Sequence, residues 1–332
     1  MIAYHLKRIK NILLATLLIL TGSCADDLTS DEDKKQGQLV LFAFLTPDST
    51  FSVHLSRSVE YSSIDDFERI YDGYIVVERN NIKVDSFSYP FRNLWAERSD
   101  ITVRQNDVFN IKAGDSGGNI SGSVAIPQAV PIERIDTSRV NALDMQGVMQ
   151  KYLECDIIFT DPLQSENFYQ LVLSEEIWDE SNGSLKYSRQ QINYLKSDSV
   201  FYIKDKEGSL LAGIDFKGTF SDYKINGHTY PLKIRIPAWY AETPAENQKR
   251  RITFMLLSQT SDYFKYLQNR IIAEYNYDLP IIDPVKIHSN IDGGLGLIGG
   301  ISVACDSLVF INGELKIENE KLRFLDAEKL RY

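Results

Sequence analysis

Most of the chain consists of short stretches in which apolar and polar residues alternate or in which apolar residues run together. Residues 51–59 alternate with a period of two, and residues 39–45 form an apolar run that ends at a Thr-Pro-Asp-Ser turn. Such stretches recur about every 8–12 residues between Gly, Asn and Pro turns, which is typical of β-sandwiches. We therefore predict an all-β fold of β-sandwich-like domains. Further strands are predicted at residues 74–78, 82–87, 101–103, 108–111, 122–126, 155–159, 168–173, 200–203, 232–236, 251–257 and 301–311.

The length of 332 residues is enough for about two domains. Pro127 and Pro131 interrupt the alternating pattern and indicate the boundary between them. We predict an Ig-like β-sandwich at residues 38–130 and a second β-sandwich at residues 131–332.

One helix, at residues 261–275, is predicted within the second domain. Ser261 can cap its start. Its apolar residues recur at helical spacing, so we expect them to face the core. These residues are Phe264, Leu267, Ile271 and Tyr275. A glycine-rich loop at residues 289–300 follows the helix and precedes the last strand.

Residues 1–23 have the pattern of a bacterial export signal. Basic residues precede an apolar run at residues 12–20, which is far shorter than the ~20 residues that a membrane-spanning helix needs. Three small residues and then Cys24 resemble a lipobox, although Thr21 stands where leucine is usual. We predict that Cys24 is lipidated; the alternative is an ordinary signal peptide followed by a chance cysteine.

Residues 24–37 are polar and acidic, with almost no apolar side chains. This composition predicts a flexible tether. Acidic residues directly behind a lipidated cysteine resemble the surface-export signal of Bacteroidota lipoproteins. We therefore expect an outer-membrane location with the protein facing outside; the alternative is a solvated spacer in a protein that faces the periplasm.

The charge balance argues against a nucleic-acid partner. There are 36 Lys and Arg residues against 46 Asp and Glu residues, which gives a formal net charge of −10. The longest basic run is Lys249-Arg250-Arg251. Nucleic-acid binding depends on a field of basic residues that neutralises phosphates, and no dense field of this kind is present.

Two cysteines remain in the body of the chain, Cys155 and Cys305. In an exported protein they could form a disulfide bond. Both lie in apolar, strand-like runs, so two buried free thiols are an equally good interpretation. No Cys-x-x-Cys motif is present, so neither interpretation makes the protein a redox enzyme.

The segment Gly114-Asp-Ser116-Gly-Gly118 matches the nucleophile loop of chymotrypsin-type proteases and the G-x-S-x-G pattern. A catalytic triad also needs a base, and His54 is the only upstream histidine outside the signal segment. The spacing between His54 and Ser116 is too short for the intervening barrel of that protease fold. Because Gly and Asp also form ordinary hairpin turns, we interpret the segment as a turn and predict no catalytic residue.

The glycine-rich loop spells G-x-G-x-x-G from Gly294 to Gly299. A dinucleotide site requires this motif between a strand and a helix, and here a strand-like run follows. We therefore predict no cofactor and regard the loop as a structural or ligand-binding segment. Its candidate residues are Asn290, Asp292, Gly293, Gly294 and Gly296.

A metal site is not predicted either. Asp283, His288 and Asp292 are close in sequence, but they match neither an EF-hand nor a His-Glu-x-x-His motif. A calcium site of Asp and carbonyl oxygens is left open as an alternative.

Trp95, Trp178 and Trp239 all lie in loop-like stretches. Exposed aromatic side chains pack against sugars, peptides or partner proteins, so these three are candidate binding residues. The alternative is that each covers the end of a sandwich core.

Several features together resemble a family of exported Bacteroidota lipoproteins, domain of unknown function 4249. They are the lipobox start, Asp161-Pro162, Asn167-Phe168-Tyr169, Phe264-Lys-Tyr-Leu267, Asp283-Pro284-Val285 and the loop SNIDGGLGLIGG. The resemblance implies an all-β, exported protein of unassigned biochemical function. Genes of this family often lie beside those of TonB-dependent transporters, which implies an accessory role in uptake.

From the anchor, the tether and this resemblance we expect an outer-membrane lipoprotein that acts as a binding accessory to a TonB-dependent transporter and not as an enzyme. The alternative is a structural or adhesive lipoprotein with a protein partner. A hydrolase that uses Ser116 or a pair of carboxylates is a remote alternative.

Overall fold

A computed structural model of the chain describes residues 37–60, 63–88, 95–144, 146–163, 165–179, 186–202, 214–240, 248–277, 285–311 and 314–316. The predicted signal, Cys24 and nearly all of the tether lie outside these ranges. Within them, no helix combines the length and the apolar composition that a membrane crossing requires.

The described residues form mainly strands, which confirms the all-β prediction. The strands are β1 (Leu39–Leu45), β2 (Phe51–Arg57), β3 (Glu68–Arg69), β4 (Tyr74–Arg79), β5 (Ile82–Ser88), β6 (Ala96–Arg98), β7 (Val108–Asp115), β8 (Gly118–Ala125), β9 (Ile132–Leu143), β10 (Met149–Thr160), β11 (Phe168–Asp179), β12 (Lys186–Ile192), β13 (Thr219–Ser221), β14 (Thr229–Pro237), β15 (Gln248–Gln259), β16 (Leu295–Ile311) and β17 (Glu314–Lys316). The α-helix, α1, is Ser261–Tyr277, and short 3₁₀ helices are Ser199–Phe201, Asp222–Lys224 and Ala238–Tyr240.

Three sheets contain these strands. The largest has ten strands, in the order β12-β11-β15-β16-β1-β2-β3, with β13, β17 and β6 attached to β11, β16 and β2. A three-stranded sheet has the order β14-β10-β9, and a four-stranded sheet has the order β5-β4-β7-β8. Neighbouring strands run antiparallel except for β1 and β16, which run parallel.

Strand β16 connects the two halves of the large sheet. Residues 295–300 pair with β1, and residues 301–311 pair with β15. At about 3.3 Å per residue, its 17 residues span roughly 55 Å. The predicted loop at 289–300 is therefore wrong in its second half, which is strand. Because glycines have low strand propensity, the sequence did not indicate this strand. In the structure, its residues Leu297 and Ile298 are completely buried.

Two hydrophobic cores lie on the same face of β16. Ile298 belongs to the N-terminal core, together with residues between Leu39 and Ile126. Leu308 and Phe310 belong to the C-terminal core, which begins at Val130. The position of the predicted domain boundary therefore separates two cores. It does not separate two sets of strands, because β1 and β16 pair within one sheet.

Helix α1 covers the opposite face of the large sheet. The rings of Tyr263 and Tyr266 lie 5.7 and 6.0 Å from those of Phe44 and Phe42, respectively. Phe264 packs at 4.7 Å on Phe168, a strand residue of β11. These aromatic contacts attach the helix to both halves of the sheet.

The predicted helix is confirmed, with two corrections. Phe264 and Ile271 are buried and Leu267 packs beside Ile271, as expected, but Tyr275 is 44% exposed. Tyr275 lies in the last turn of the helix, beyond the residues that contact the sheet. Ser261 is the first helical residue and not the cap, since the amide of Phe264 donates to the carbonyl of the preceding Thr260.

We predict that Gly296→Ala lowers the free energy of unfolding by more than about 2 kcal/mol. Gly296 has φ +115°, and an added Cβ would lie 2.0 Å from the carbonyl oxygen of Leu41 on β1. The matched control is Gly118→Ala, whose Cβ would meet only the Leu39 side chain at 3.8 Å. The control should change stability by less than about 1 kcal/mol in urea unfolding. Equal effects of the two substitutions would contradict the close approach.

Candidate functional site

Ser116 lies in the turn of a β-hairpin. Strand β7 ends at Asp115 and β8 begins at Gly118. Asp115 forms a buried, bidentate ion pair with Arg57, with an Nη2–Oδ1 distance of 2.7 Å and an Nε–Oδ2 distance of 3.0 Å. Its Oδ1 also accepts a hydrogen bond from the amide of Gly117 at 2.8 Å. The Gly-Asp-Ser-Gly-Gly segment therefore closes the hairpin and joins it to β2.

His54 lies on the other side of the sheet from this turn. It is in the same strand as Arg57, three residues earlier, and successive side chains of a strand point to opposite faces. Its ring packs against Phe67 and Trp95, and Nε2 lies 3.0 Å from the hydroxyl of Ser56. The structure therefore does not bring Ser116 and His54 together.

The carboxyl group near Ser116 belongs to Asp72. Its Oδ2 accepts a hydrogen bond from the Ser116 amide at 3.3 Å. Hydrogen bonding from the Ser116 side chain is the main cause that lowers the pKa of Asp72, which favours the ionised form. An ionised carboxylate accepts hydrogen bonds, so this contact orients the turn.

We predict that Asp115→Ala destabilises the protein by about 3–5 kcal/mol, because it leaves the buried Arg57 without its counter-charge. Ser116→Ala, the matched control in the same segment, should stay within about 0.5 kcal/mol of the wild type. Chemical denaturation measures both. A larger loss for Ser116→Ala than for Asp115→Ala would contradict the structural role of the segment.

The predicted loop residues hold the start of β16 in place. The side chain of Asn290 forms two hydrogen bonds with the backbone of Ile298, both of 2.9 Å. The backbone of Asp292 bonds that of Ser121 on β8 in both directions, at 2.7 and 3.1 Å. An added Cβ on Gly294 would lie 2.5 Å from the carbonyl oxygen of Leu39 on β1. These contacts favour the structural interpretation of the loop.

The candidate metal ligands of this region are not brought together. His288 Nε2 lies 2.7 Å from Asp262 on helix α1, and the side chain of Asp292 is exposed. Asp283 is outside the described residues. Among the residues that are described, no group of three or more His, Cys, Asp or Glu side chains is close enough to hold a metal ion.

Two buried carboxyl groups lie where β10, β11 and β14 meet. Asp161 accepts hydrogen bonds from the Tyr169 hydroxyl at 2.5 Å and from the Gly227 amide at 2.9 Å. Asp222 accepts one from the Asn167 amide at 2.8 Å. Desolvation raises the pKa of Asp222 and that of Tyr169. Asp161, Asn167 and Tyr169 carry part of the family resemblance, so in this fold those motif residues form a structural polar network.

Cys155 and Cys305 are free thiols on opposite sides of a sheet. Cys155 lies in β10 and belongs to the C-terminal core, whereas Cys305 lies in β16 and faces the other side, near Met255 and Val303. The large sheet therefore separates them, and a disulfide bond between them does not fit this structure. Burial raises the pKa of each thiol to about 12.

We expect both thiols to resist iodoacetamide at pH 8 in the folded protein, because the thiolate is the reactive form and a pKa of about 12 keeps the thiol protonated. In denaturant without reductant both should be alkylated, since an unfolded thiol has a pKa near 8.5. A Cys24→Ser variant leaves only these two cysteines, and intact-mass measurement counts the adducts. No adducts in denaturant would indicate a disulfide.

The three tryptophans have different surroundings. Trp95 is half-buried and its ring lies 6.1 Å from that of Phe44. Trp178 lies within β11, not in a loop as expected, and Arg251 lies 5.2 Å above its ring. Trp239 is 51% exposed and lies in the 3₁₀ helix Ala238–Tyr240. Of the three, Trp239 is therefore the one available for contact with a partner.

A projecting hairpin lies close to Trp239. We call residues 139–153 the arm; it comprises the end of β9, the turn and the start of β10. Strand β14 pairs with β10 only as far as Tyr152, so the arm beyond that residue has two strands. Asp144 holds the turn, because its Oδ1 accepts hydrogen bonds from the amides of Gln146 and Val148 at 3.0 and 2.8 Å.

One face of the arm carries apolar and basic side chains. We call it the inner face, because Leu153 on this face belongs to the C-terminal core. Leu143 pairs directly with Met149, and these side chains are 59% and 61% exposed. Asn141 pairs with Lys151 and Arg139 with Leu153 on the same face, since these positions are two residues apart. No ion pair or side-chain hydrogen bond joins Arg139 or Lys151 to any other residue that the structure describes.

A groove of about 270 Å³ lies at the base of the arm. Its lining is Arg139, Val140, Asn141, Lys151, Tyr152, Leu153 and Ala238. Ala238 begins the 3₁₀ helix that carries Trp239. The sequence motifs do not predict this region, because apolar residues beside a glycine turn resemble those of any hairpin; Val148 and Met149 after Gly147 were the available signal.

These features define an all-β protein of sandwich-like architecture with an accessible apolar hairpin beside an exposed tryptophan. The chain belongs to the family described as Domain of unknown function (DUF4249), whose model matches residues 25–306. Membership of domain of unknown function 4249, which the motifs predicted, is thereby confirmed. No curated protein has a sequence that matches the chain.

Proposed function

We propose that this protein is a bacterial outer-membrane lipoprotein that binds a TonB-dependent transporter through its arm. The observation that carries the proposal is the exposed Leu143–Met149 pair on a hairpin whose turn is held by hydrogen bonds. Apolar side chains of this size gain about 1.5–3 kcal/mol each when fully buried, which makes them suitable anchors for a protein interface.

The arm and the first described residue of the chain lie toward opposite ends of β16. The described chain starts at Gly37 and enters β1, which pairs with the first residues of β16. The arm belongs to the other end of β16. There Ile311 pairs with Lys249, and the next residue, Arg250, donates to the carbonyl oxygens of Trp239 and Tyr240.

The residues that could suggest a hydrolase have structural roles, which supports a binding function over hydrolysis. Asp115 of the Gly-Asp-Ser-Gly-Gly segment neutralises Arg57. Asp161 and Asp222, a buried pair of carboxyl groups, are 2% and 3% exposed and bonded to groups of the fold. The contribution of these residues to stability explains their presence without a reaction.

We predict that a tagged wild-type protein, purified in mild detergent from its native outer membrane, retains a TonB-dependent barrel in near-stoichiometric amount. Replacing Leu143→Ser and Met149→Gln together should lower the retained barrel at least about tenfold, because the interface loses two apolar anchors. Quantitative mass spectrometry compares the preparations. The matched control is Leu163→Ser, which removes a side chain that is 73% exposed outside the arm.

Absence of any such barrel from the wild-type preparation would contradict the uptake role and favour the structural or adhesive lipoprotein. A barrel retained equally by the wild type and the arm variant would place the contact elsewhere on the protein.

A further inference from the structure

We propose that the outer edge of β9, at residues 135–143, accepts an extended segment of the partner as an additional strand. The segment carries a carboxylate residue that contacts Arg139. It also carries an apolar residue four positions before and four positions after that carboxylate residue. This inference rests on the proposed function, since it specifies how the arm and its strand engage a partner.

Among the described residues, no strand pairs with one side of β9. It is the last strand of the three-stranded sheet, after β14 and β10. The amide of Asp144 donates to the carbonyl of Val148 at 2.9 Å, so residues 144 and 148 form a hydrogen-bonded pair. The register from Leu143 back to Arg134 is continuous. In an antiparallel pair every second residue bonds the neighbour, so even-numbered residues of β9 bond β10.

The odd-numbered residues from Ile135 to Leu143 therefore direct their N–H and C=O groups outward. No strand, turn or side chain among the described residues bonds these groups. An unpaired row of this length is a template for another strand, and main-chain hydrogen bonds supply affinity in such strand addition.

Part of the usual protection of an edge strand is missing here. Proteins blunt exposed edges with proline, lysine or short strands, and β9 has 12 residues with neither proline nor lysine. Of its charged residues, Glu133 accepts a hydrogen bond from Thr160 at 2.6 Å, and Arg134 pairs with Asp136 at 3.0 Å. Arg139 is the charge that stays without an opposite charge among the described residues.

The side chains beside the open edge determine what kind of segment fits. Arg139 and Lys151 are diagonal neighbours on the inner face, because Arg139 pairs with Leu153 and Lys151 with Asn141. Two cations this close, in a protein of net charge −10, favour an incoming carboxylate. Residues four positions from Arg139 on the same face are Ile135 and Leu143. An apolar residue opposite each of them extends the contact.

A second copy of this chain fits the edge less well. Pairing must match odd-numbered with odd-numbered residues, so that both sets of outward groups meet. The antiparallel register that brings Glu133 of one copy beside Arg139 of the other sets the two Asp136 residues directly opposite each other. Like charges in that position are destabilising, which favours a different partner.

The test is fluorescence anisotropy with the full chain and a labelled, capped peptide of nine residues. The peptide has valine at its first and ninth positions, glutamate at the fifth and threonine elsewhere. A second peptide with lysine at the fifth position is its matched probe. We expect the glutamate peptide to bind at least about tenfold more tightly.

Two pairs of variants separate the contribution of the backbone to binding from that of the charge. Asn141→Pro removes an outward N–H without breaking a bond to β10 and should abolish binding, whereas Asn141→Ala keeps that N–H and should bind as the wild type does. Arg139→Glu should reverse the preference between the two peptides, a result that misfolding cannot produce. Arg134→Glu, on the outer face of the same strand, should keep the wild-type preference.

Equal binding of both peptides, or binding of neither, would overturn the inference. So would a concentration-dependent dimer in sedimentation that Asn141→Pro dissolves, because the edge would then belong to a second copy. If the barrel is retained from membranes but the peptides fail, the proposed function survives and the strand-addition site does not. Peptide binding without a retained barrel would support the strand-addition site and contradict the transporter partnership.

Discussion

The structure depends on the parallel contact between β1 and the first six residues of β16. This contact is possible because Gly296 has no side chain where its Cβ would lie 2.0 Å from the Leu41 carbonyl oxygen. Without it, the two halves of the large sheet would not be hydrogen-bonded to each other, and the aromatic contacts of helix α1 with Phe44 and Phe168 would be left to connect them. The hydrogen bonds of Asn290 to Ile298 then fix the segment before β16 to the strand, and those of Asp292 to Ser121 join that segment to the four-stranded sheet.

Because β16 is continuous, the two cores share one sheet. Its even-numbered side chains enter the N-terminal core at Ile298 and the C-terminal core at Leu308. Its odd-numbered side chains, such as Val303, face the side that helix α1 covers. The same strand also separates the beginning of β1 from the arm by most of its length.

The fold class could be predicted from the sequence because alternation reports which face of a strand is buried. The helix was equally accessible, since Phe264, Leu267 and Ile271 recur at its period. Pairing between distant segments leaves no such local signal, so neither the β1–β16 contact nor the strand character of residues 295–300 could be predicted. The loop expected at Trp178 is wrong because the charged residues around it conceal the end of β11.

The candidate site was harder to foresee for a related reason. Motifs draw attention to Ser116 and to the glycine segment, where the structure shows a hairpin turn and a closely packed strand. The arm has no motif, and its significance comes from exposure. Leu143 and Met149 would look like ordinary core residues in any sequence, and their exposure becomes visible only in the structure.

The alternation of hydrogen bonds along β9 divides its peptide groups into two sets with different roles. Peptide groups at even positions bond β10 and so maintain the fold, whereas those at odd positions point outward and can bond another molecule. Replacing a side chain beside an outward group leaves the hydrogen bonds between β9 and β10 in place. The edge could thus change what it binds while the architecture stays the same.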